Sequence, residues 1–250
     1  LITHFIDVEK SSFISRVDQI ERCINNKTAA IMIPNLLGNV PNWKKIYNIA
    51  KKYNLKVIED SADTIGYTYN NNNLGKYSDA STNSMYASHI ITGAGFGGIV
   101  CFNDKKLYEN AKLLRGWGRS SAVFNESEGI YERFNKKVDG IPYDGKYIFS
   151  KMGYNFLPSE ISAAFALEQL KKLKKNINSR CKNFEMINNF FKKLESLFIL
   201  PTQFKGLKTG WLAYPLIIRD EKKIKRTEIQ IFLEKSNIQT RTIFTENIFR

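Results

Sequence analysis

The stretch Ala29-Ala-Ile-Met-Ile-Pro34 decides the fold class, because it is a continuous apolar run of strand length. Such a run is typical of a strand that is buried on both faces of a parallel sheet. Pro41 begins an amphipathic helical segment that extends to Tyr53, and Leu55-Lys-Val-Ile58 reads as the next strand. A strand, a helix and a strand at this spacing predict a right-handed βαβ unit. We therefore predict an α/β fold with a mostly parallel sheet.

The rest of the chain carries the same kinds of pattern, and its character changes near Pro201. Apolar periodicity and capping residues predict strands at 4–8, 98–102 and 212–218, helices at 15–25, 105–115, 159–170, 171–198 and 223–235, and an irregular segment at 116–150. We assign a large domain to residues 1–175 and the start of a smaller α+β domain to residues 176–250. The chain has no initiator Met and begins on a predicted strand, so we expect both ends to be truncated relative to a longer protein.

Composition argues against several classes of protein. The formal net charge of +14 would suit a nucleic acid partner, but the lysines are spread along predicted helical surfaces and no nucleic-acid-binding motif accompanies them. We therefore expect no nucleic acid partner. No apolar run approaches the roughly 20 residues of a membrane span, so no membrane association is predicted. The three cysteines form no CxxC or Cys/His pair, which predicts reduced thiols in the cytoplasm and no metal site.

Candidate functional residues lie in two places on the predicted sheet. Glu59 and Asp60 follow the second predicted strand, at the carboxyl edge where open α/β sheets bind ligands, although a helix N-cap would also explain Asp60. Just before a glycine-rich loop at 93–98 come Ser84, Tyr86 and His89. Imidazole titrates near pH ~6.5 and can therefore exchange protons at neutral pH. A histidine beside a flexible turn is the alternative, and these residues alone do not decide between the two.

Five motifs occur in order along the chain at the spacing of a known family. They are Val57-Ile-Glu-Asp-Ser-Ala-Asp-Thr-Ile-Gly66, Ser84-Met-Tyr-Ala-Ser-His-Ile-Ile-Thr92, Gly97-Gly98, Arg115-Gly-Trp-Gly-Arg119 and Gly153-Tyr-Asn155. Together they resemble the sugar aminotransferase and dehydratase family built on the aspartate-aminotransferase fold, the DegT/DnrJ/EryC1/StrS family. The resemblance implies a pyridoxal-phosphate-dependent fold of type I and a homodimer with shared active sites. It also implies an enzyme that acts on nucleotide-linked keto sugars.

The resemblance assigns roles to individual residues of this chain. Asp60 matches the residue that keeps the cofactor's ring nitrogen protonated, and Ser84 matches a phosphate ligand. Asn155 matches the residue that reaches the phosphate of the neighbouring subunit's cofactor. Asp63 is expected at the cofactor, where the 3-dehydratase branch carries Asp and most members carry Gln or His. The resemblance also implies that Tyr86, Arg241 and Asn247 contact the substrate.

His89 is the main departure from the aminotransferases of this family, which place a lysine there and bond it covalently to pyridoxal phosphate. Imidazole cannot form that bond. The replacement resembles the branch that removes the C3 hydroxyl of NDP-4-keto-6-deoxy sugars with pyridoxamine phosphate, in which the histidine moves the proton. The segment Gln239-Thr-Arg-Thr-Ile-Phe-Thr-Glu-Asn247 also resembles that branch. We therefore expect a sugar 3-dehydratase of deoxysugar and surface-polysaccharide biosynthesis.

Two further expectations concern the cofactor and the amino donor. Iron–sulfur members of the branch carry cysteines where this chain has Ala62, Ser121 and Val123, and a cluster needs thiolate ligands, so we expect no iron–sulfur cluster. Glutamate is the expected amino donor. One alternative is an aminotransferase that makes an amino sugar, which His89 argues against. Another is a catalytically inactive binding relative, which the retained cofactor-binding residues argue against.

Overall fold

The computed structural model describes residues 2–124 and 129–243. The α-helices in these ranges are α1 Val17–Cys23, α2 Trp43–Lys52, α3 Lys105–Arg115, α4 Ile130–Phe134, α5 Glu160–Phe191 and α6 Arg226–Lys235. The strands are β1 Ala30–Pro34, β2 Lys56–Asp60, β3 Thr68–Tyr69, β4 Asn72–Asn73, β5 Ala80–Ser84, β6 Gly98–Phe102, β7 Lys136–Val138, β8 Ile141–Tyr143, β9 Phe198–Ile199, β10 Leu207–Lys208 and β11 Ile217–Ile218. Within the same residues, no helix has both the length and the apolar character needed to cross a membrane.

The central sheet has the strand order β1–β2–β5–β6. Strands β1, β2 and β5 run parallel, and β6 joins β5 in the antiparallel direction. The predicted mostly parallel α/β sheet is confirmed, and β1–α2–β2 forms the predicted βαβ unit. Because the three parallel strands end at the same edge of the sheet, the residues at their carboxyl ends are brought together there.

Helix α2 covers one face of the sheet. Asn42 caps its first turn by accepting a hydrogen bond from the Lys45 amide at 3.1 Å, as asparagine commonly does at helix N-termini. The buried face of the helix carries Trp43, Ile46 and Ala50, which pack in one cluster with the sheet residues Ile31, Ile33 and Val57. Full burial of a large apolar side chain contributes about 1.5–3 kcal/mol. This cluster therefore holds α2 firmly against β1 and β2.

Asn39 joins three segments of the chain. It is 1% exposed, and its amide nitrogen donates to the carbonyl oxygens of Ser12 and Thr202 at 2.8 and 2.9 Å. Its Oδ1 accepts the backbone amides of Val40 and Phe204 at 3.1 and 3.0 Å. Both donors and both acceptor positions of the side chain are therefore used. Asn39 holds the loop after β1 against the C-terminal half of the chain, where β10 pairs with β3.

The structure differs from the sequence predictions at several places, including the segment 116–150, which was expected to be irregular but contains α4, β7 and β8. One helix, α5, replaces the two predicted at 159–170 and 171–198, because no Gly or Pro interrupts residues 160–191. The strand predicted at 212–218 is reduced to β11, since Pro215 has no amide hydrogen to donate to a sheet. The strand predicted at 4–8 is wrong, and only Val8 forms a bridge, with Ser15. The domain boundary at residue 175 stays a prediction, and α5 runs through that position.

Candidate active site

Asp60 lies at the carboxyl end of β2, beside the end of the parallel strand β5. Its register partner in β5 is Thr82. Oδ1 of Asp60 accepts the Thr82 hydroxyl at 3.1 Å and the Ala62 backbone amide at 3.2 Å. Ser84 lies two residues after Thr82 and therefore on the same face of the sheet, because side chains alternate along a strand. Two residues that were predicted to bind a cofactor, Asp60 and Ser84, thus share one face of the sheet.

Asp63 and His89 are in direct contact. Oδ1 of Asp63 lies 3.0 Å from Nδ1 of His89, and Oδ2 accepts the backbone amide of Leu37 at 2.9 Å. Burial raises the pKa of Asp63 above its usual value, while the Leu37 amide and His89 act in the opposite direction. The carboxyl group of Asp63 is therefore held between a backbone donor and an imidazole, an arrangement that orients a histidine ring.

The contact with Asp63 determines which nitrogen of His89 is basic. When the Asp63 carboxyl group is ionised it can only accept hydrogen bonds, so Nδ1 of His89 donates to it, and in the neutral imidazole the lone pair then lies on Nε2. The His89 side chain is 19% exposed, and the Tyr86 ring has its centroid 6.4 Å from that of the imidazole. His89 can accordingly accept and return a proton at Nε2, which is what general acid–base catalysis requires.

The glycine-rich loop that follows Ser84 folds back on the end of β5. The Met85 amide donates to the Gly97 carbonyl oxygen at 3.0 Å. Gly95 and Gly97 have φ angles of +93° and +102°, which glycine adopts without a steric penalty. Oγ of Ser84 accepts the Tyr86 amide at 3.1 Å, and in the described residues its proton is donated to no other group. The Ser84 hydroxyl can therefore donate to a bound anion.

The remaining predicted site residues make contacts elsewhere. Asn155 is exposed, and its backbone pairs with Gly116 in a β-bridge. Arg241 is exposed and lies 4.0 Å from Glu234. Asn247 lies outside the described residues. The expected roles of these three residues, toward a neighbouring subunit or a substrate, stay predictions.

Glu59, which the sequence offered as a candidate together with Asp60, is a buried carboxylate. It is 1% exposed. Its Oε1 accepts the Asn35 amide at 2.8 Å and the Ser61 hydroxyl at 2.7 Å, and its Oε2 accepts the Gly75 backbone amide at 2.9 Å. Burial raises the pKa of Glu59, and these donors oppose that rise. The one available signal was that consecutive residues of a strand face opposite sides, so Glu59 and Asp60 could not both line the site.

Metal-binding clusters are absent from residues 2–124 and 129–243. No group of three or more His, Cys, Asp or Glu side chains there could hold a metal ion. The cysteines Cys23, Cys101 and Cys181 are free thiols. The expected absence of an iron–sulfur cluster stays a prediction.

The chain matches the DegT/DnrJ/EryC1/StrS aminotransferase family over residues 1–250. It is 31% identical over 253 residues to the lipopolysaccharide biosynthesis protein RfbH of Salmonella typhimurium, and the match covers 100% of this chain and 58% of that protein. It is 31% identical over 252 residues to the GDP-4-keto-6-deoxy-D-mannose 3-dehydratase of Yersinia pseudotuberculosis, with 100% of this chain and 61% of that protein covered. The chain thus spans less than two thirds of the length of these relatives.

A solved structure shows the same fold. It is a GDP-4-keto-6-deoxymannose-3-dehydratase with a trapped PLP–glutamate geminal diamine, and it superimposes with a TM-score of 0.84 at 26% sequence identity. The superposition covers 98% of this chain and 61% of that chain. The expected aspartate-aminotransferase-like fold is therefore confirmed.

Proposed function

The chain belongs to the DegT/DnrJ/EryC1/StrS aminotransferase family, and from that membership we propose that the full-length protein is a vitamin B6-dependent sugar dehydratase. It would remove the C3 hydroxyl of an NDP-4-keto-6-deoxy sugar, with pyridoxamine 5′-phosphate as cofactor and glutamate as the amino donor that regenerates it from pyridoxal 5′-phosphate. The observation that carries the proposal is the contact between Asp63 and His89. A histidine oriented by a carboxylate occupies the motif position at which the aminotransferases of the family are expected to have a lysine.

The residues on the sheet face fit a pyridine cofactor. Oδ2 of Asp60 accepts no hydrogen bond from the described residues, whereas Oδ1 accepts two, so Oδ2 is free for a protonated ring nitrogen. The Ser84 hydroxyl is free to donate to a phosphate, and the adjacent loop offers backbone amides of the kind that bind anions. When bound, pyridoxamine phosphate supplies an amine for the sugar's keto group and a ring that withdraws electrons.

His89 moves the proton in the proposed reaction. Asp63 accepts the Nδ1 hydrogen, which fixes the ring orientation and leaves Nε2 as the base. The proton taken up at Nε2 stays on the imidazole and is available to the departing C3 hydroxyl. A positioned acid–base group of this kind contributes roughly 10²–10⁴-fold in rate. The proposal therefore rests on the contact between Asp63 and His89.

An exposed apolar surface supports the proposal of a homodimer. Many large apolar side chains between residues 130 and 170 are exposed, among them Ile130, Tyr131, Phe134, Ile141, Met152, Phe156, Ile161 and Leu167. Extensive apolar surface of this kind is characteristic of protein interfaces. Because Asn155 lies in this stretch, we propose that it reaches the active site of a second subunit. Sedimentation velocity of the full-length protein tests the dimer, and a monomer at every concentration would contradict it.

Product analysis tests the proposed function. The full-length protein is incubated with pyridoxal phosphate, glutamate and several NDP-4-keto-6-deoxy sugars, and the sugar products are identified by mass spectrometry. We expect a product that has lost the C3 oxygen and gained no nitrogen. A 4-amino sugar as the only product would contradict dehydration and support an aminotransferase. The absence of any product with every sugar, despite bound cofactor, would support an inactive binding relative.

A further inference from the structure

Thr82 and Asp60 are paired side chains on neighbouring parallel strands. They are partners in the β2–β5 register, and the Thr82 hydroxyl donates to Oδ1 of Asp60 at 3.1 Å. The Ala62 amide donates to the same oxygen at 3.2 Å from the turn after β2. Two donors from different segments of the chain therefore converge on one oxygen, and together they restrict rotation of the carboxylate.

The second oxygen of Asp60 is left without a partner in the part of the chain that the structure describes. Asp60 is only partly buried, so Oδ2 can be reached by a ligand on the face that also carries Ser84. A carboxylate with one oxygen anchored and the other open is prepared to accept a single, directed hydrogen bond. Because such a group is already fixed before the ligand binds, binding does not have to restrict its rotation, and the entropic cost of binding is smaller.

We propose that Thr82 is a positioning residue that orients Asp60 so that Oδ2 accepts the N–H of a protonated pyridine ring. The inference rests on the proposed function, because the ring nitrogen belongs to the pyridoxamine phosphate named there. Thr82 touches neither the ring nor the sugar in this role and acts only through Asp60. Strand β5 would then serve both ends of the cofactor, with Thr82 acting on the ring nitrogen through Asp60 and Ser84 binding the phosphate.

The test distinguishes the effect of the Thr82 hydroxyl group from the effect of the volume of the Thr82 side chain. Thr82→Val keeps the shape and loses the donor, Thr82→Ser keeps the donor, and Thr82→Ala is a smaller donor-free variant in case the valine is not accommodated. Thr68→Val is the matched control, because the Thr68 hydroxyl in β3 makes no described hydrogen bond. Each full-length variant is loaded with pyridoxamine phosphate labelled with ¹⁵N in the ring, and the ring ¹⁵N chemical shift is followed against pH. The unfolding midpoint of the cofactor-free protein reports whether each variant is folded.

We expect the ring nitrogen to remain protonated in the wild type, Thr82→Ser and Thr68→Val. Without the Thr82 donor, Asp60 can rotate away from the ring nitrogen. A hydrogen bond to a charged group is worth roughly a tenfold or greater change in an equilibrium, so weakening the bond between Asp60 and the ring in Thr82→Val and Thr82→Ala should shift ring protonation by about that much toward the free base. A wild-type titration in both donor-free variants would overturn the inference. An equal shift of the protonation equilibrium in Thr82→Ser and Thr82→Val would also overturn it, because the volume of the side chain and not its hydroxyl group would then be responsible.

Asp60→Asn separates the failure of this inference from the failure of the proposed function. If Asp60→Asn deprotonates the ring nitrogen and Thr82→Val does not, Asp60 binds the ring without help from Thr82, and only the inference fails. If Asp60→Asn also leaves the ring nitrogen protonated, Asp60 is not its partner, and both the inference and the proposed cofactor arrangement fail.

Discussion

Nδ1 of His89 lies 3.0 Å from Oδ1 of Asp63, and the other oxygen of Asp63 accepts the Leu37 amide at 2.9 Å. The imidazole is thus connected through one carboxylate to the loop after β1. Leu37 is itself buried and has a φ angle of +56°, and that loop is held in place by Asn39. The orientation of the proposed base therefore depends on residues from three separate parts of the chain.

Replacing His89 should remove the proposed base without unfolding the protein. We expect His89→Asn to bind pyridoxamine phosphate and to lose about 10²–10⁴-fold in turnover. Stopped-flow turnover and cofactor absorbance of the full-length protein measure the two effects separately. His4→Asn is the matched control, because His4 is the other histidine of the chain and is exposed. Turnover of His89→Asn within a few-fold of the wild type would show that another group moves the proton.

Replacing Asp63 should loosen the orientation of His89. An asparagine can present either its oxygen or its nitrogen to Nδ1, so Asp63→Asn no longer fixes which imidazole nitrogen is basic. We expect turnover to fall by about 10²-fold or more, while cofactor affinity changes little. Asp104→Asn is the control, because Asp104 caps α3 through the Leu107 amide and asparagine caps equally well. Equal activities of the two variants would contradict the role given to Asp63.

Glu59 should make stability depend on pH. Burial raises its pKa in the folded protein above the ordinary value of 4.5, so the folded state holds this proton more tightly than the unfolded state. Its contribution to stability is complete below pH 4.5 and is lost as the pH rises through the folded-state pKa. Glu59→Gln lacks this dependence. The free energy of unfolding of the wild type minus that of Glu59→Gln should therefore fall as the pH rises above 4.5. Urea denaturation at a series of pH values measures it, and a constant or rising difference would refute the assignment.

Asn39 should matter for stability more than any exposed asparagine. Asn39→Ala removes four hydrogen bonds and leaves backbone groups of Ser12, Thr202 and Phe204 without this partner. Because unsatisfied buried polar groups cost about 1–3 kcal/mol each, we expect a loss of about 3 kcal/mol or more in the free energy of unfolding. Asn26→Ala at an exposed turn is the control and should change it by less than about 0.5 kcal/mol. Similar values for the two variants would contradict the role of Asn39.

The sequence predicted local elements and motif residues, and the structure added the contacts between distant segments. The β1–α2–β2 unit was predictable because an apolar run and a helical apolar face are patterns over neighbouring residues. Asp60, Ser84 and His89 could be named as candidates because each lies in a motif. The pairing of Asp63 with His89 was not predicted, because these residues are 26 positions apart and only the fold joins them.

Two groups of residues show why the rest could not be predicted. The donors to Glu59 come from the ends of β1 and β2 and from Gly75, and no periodicity in the sequence relates those positions. Thr82 contacts Asp60 only because the parallel register places them side by side. The predicted end of a helix near residue 170 was wrong for a different reason. A run of lysines there changes the exposed face of α5 but does not interrupt its backbone.

Borohydride reduction tests whether His89 stands in the place of a cofactor-linking lysine. The full-length wild type and His89→Lys are each mixed with pyridoxal phosphate, reduced, digested and analysed by peptide mass spectrometry. We expect no modified lysine in the pocket of the wild type and a reduced cofactor adduct at position 89 of His89→Lys. A wild-type peptide that carries the adduct on a pocket lysine would contradict it.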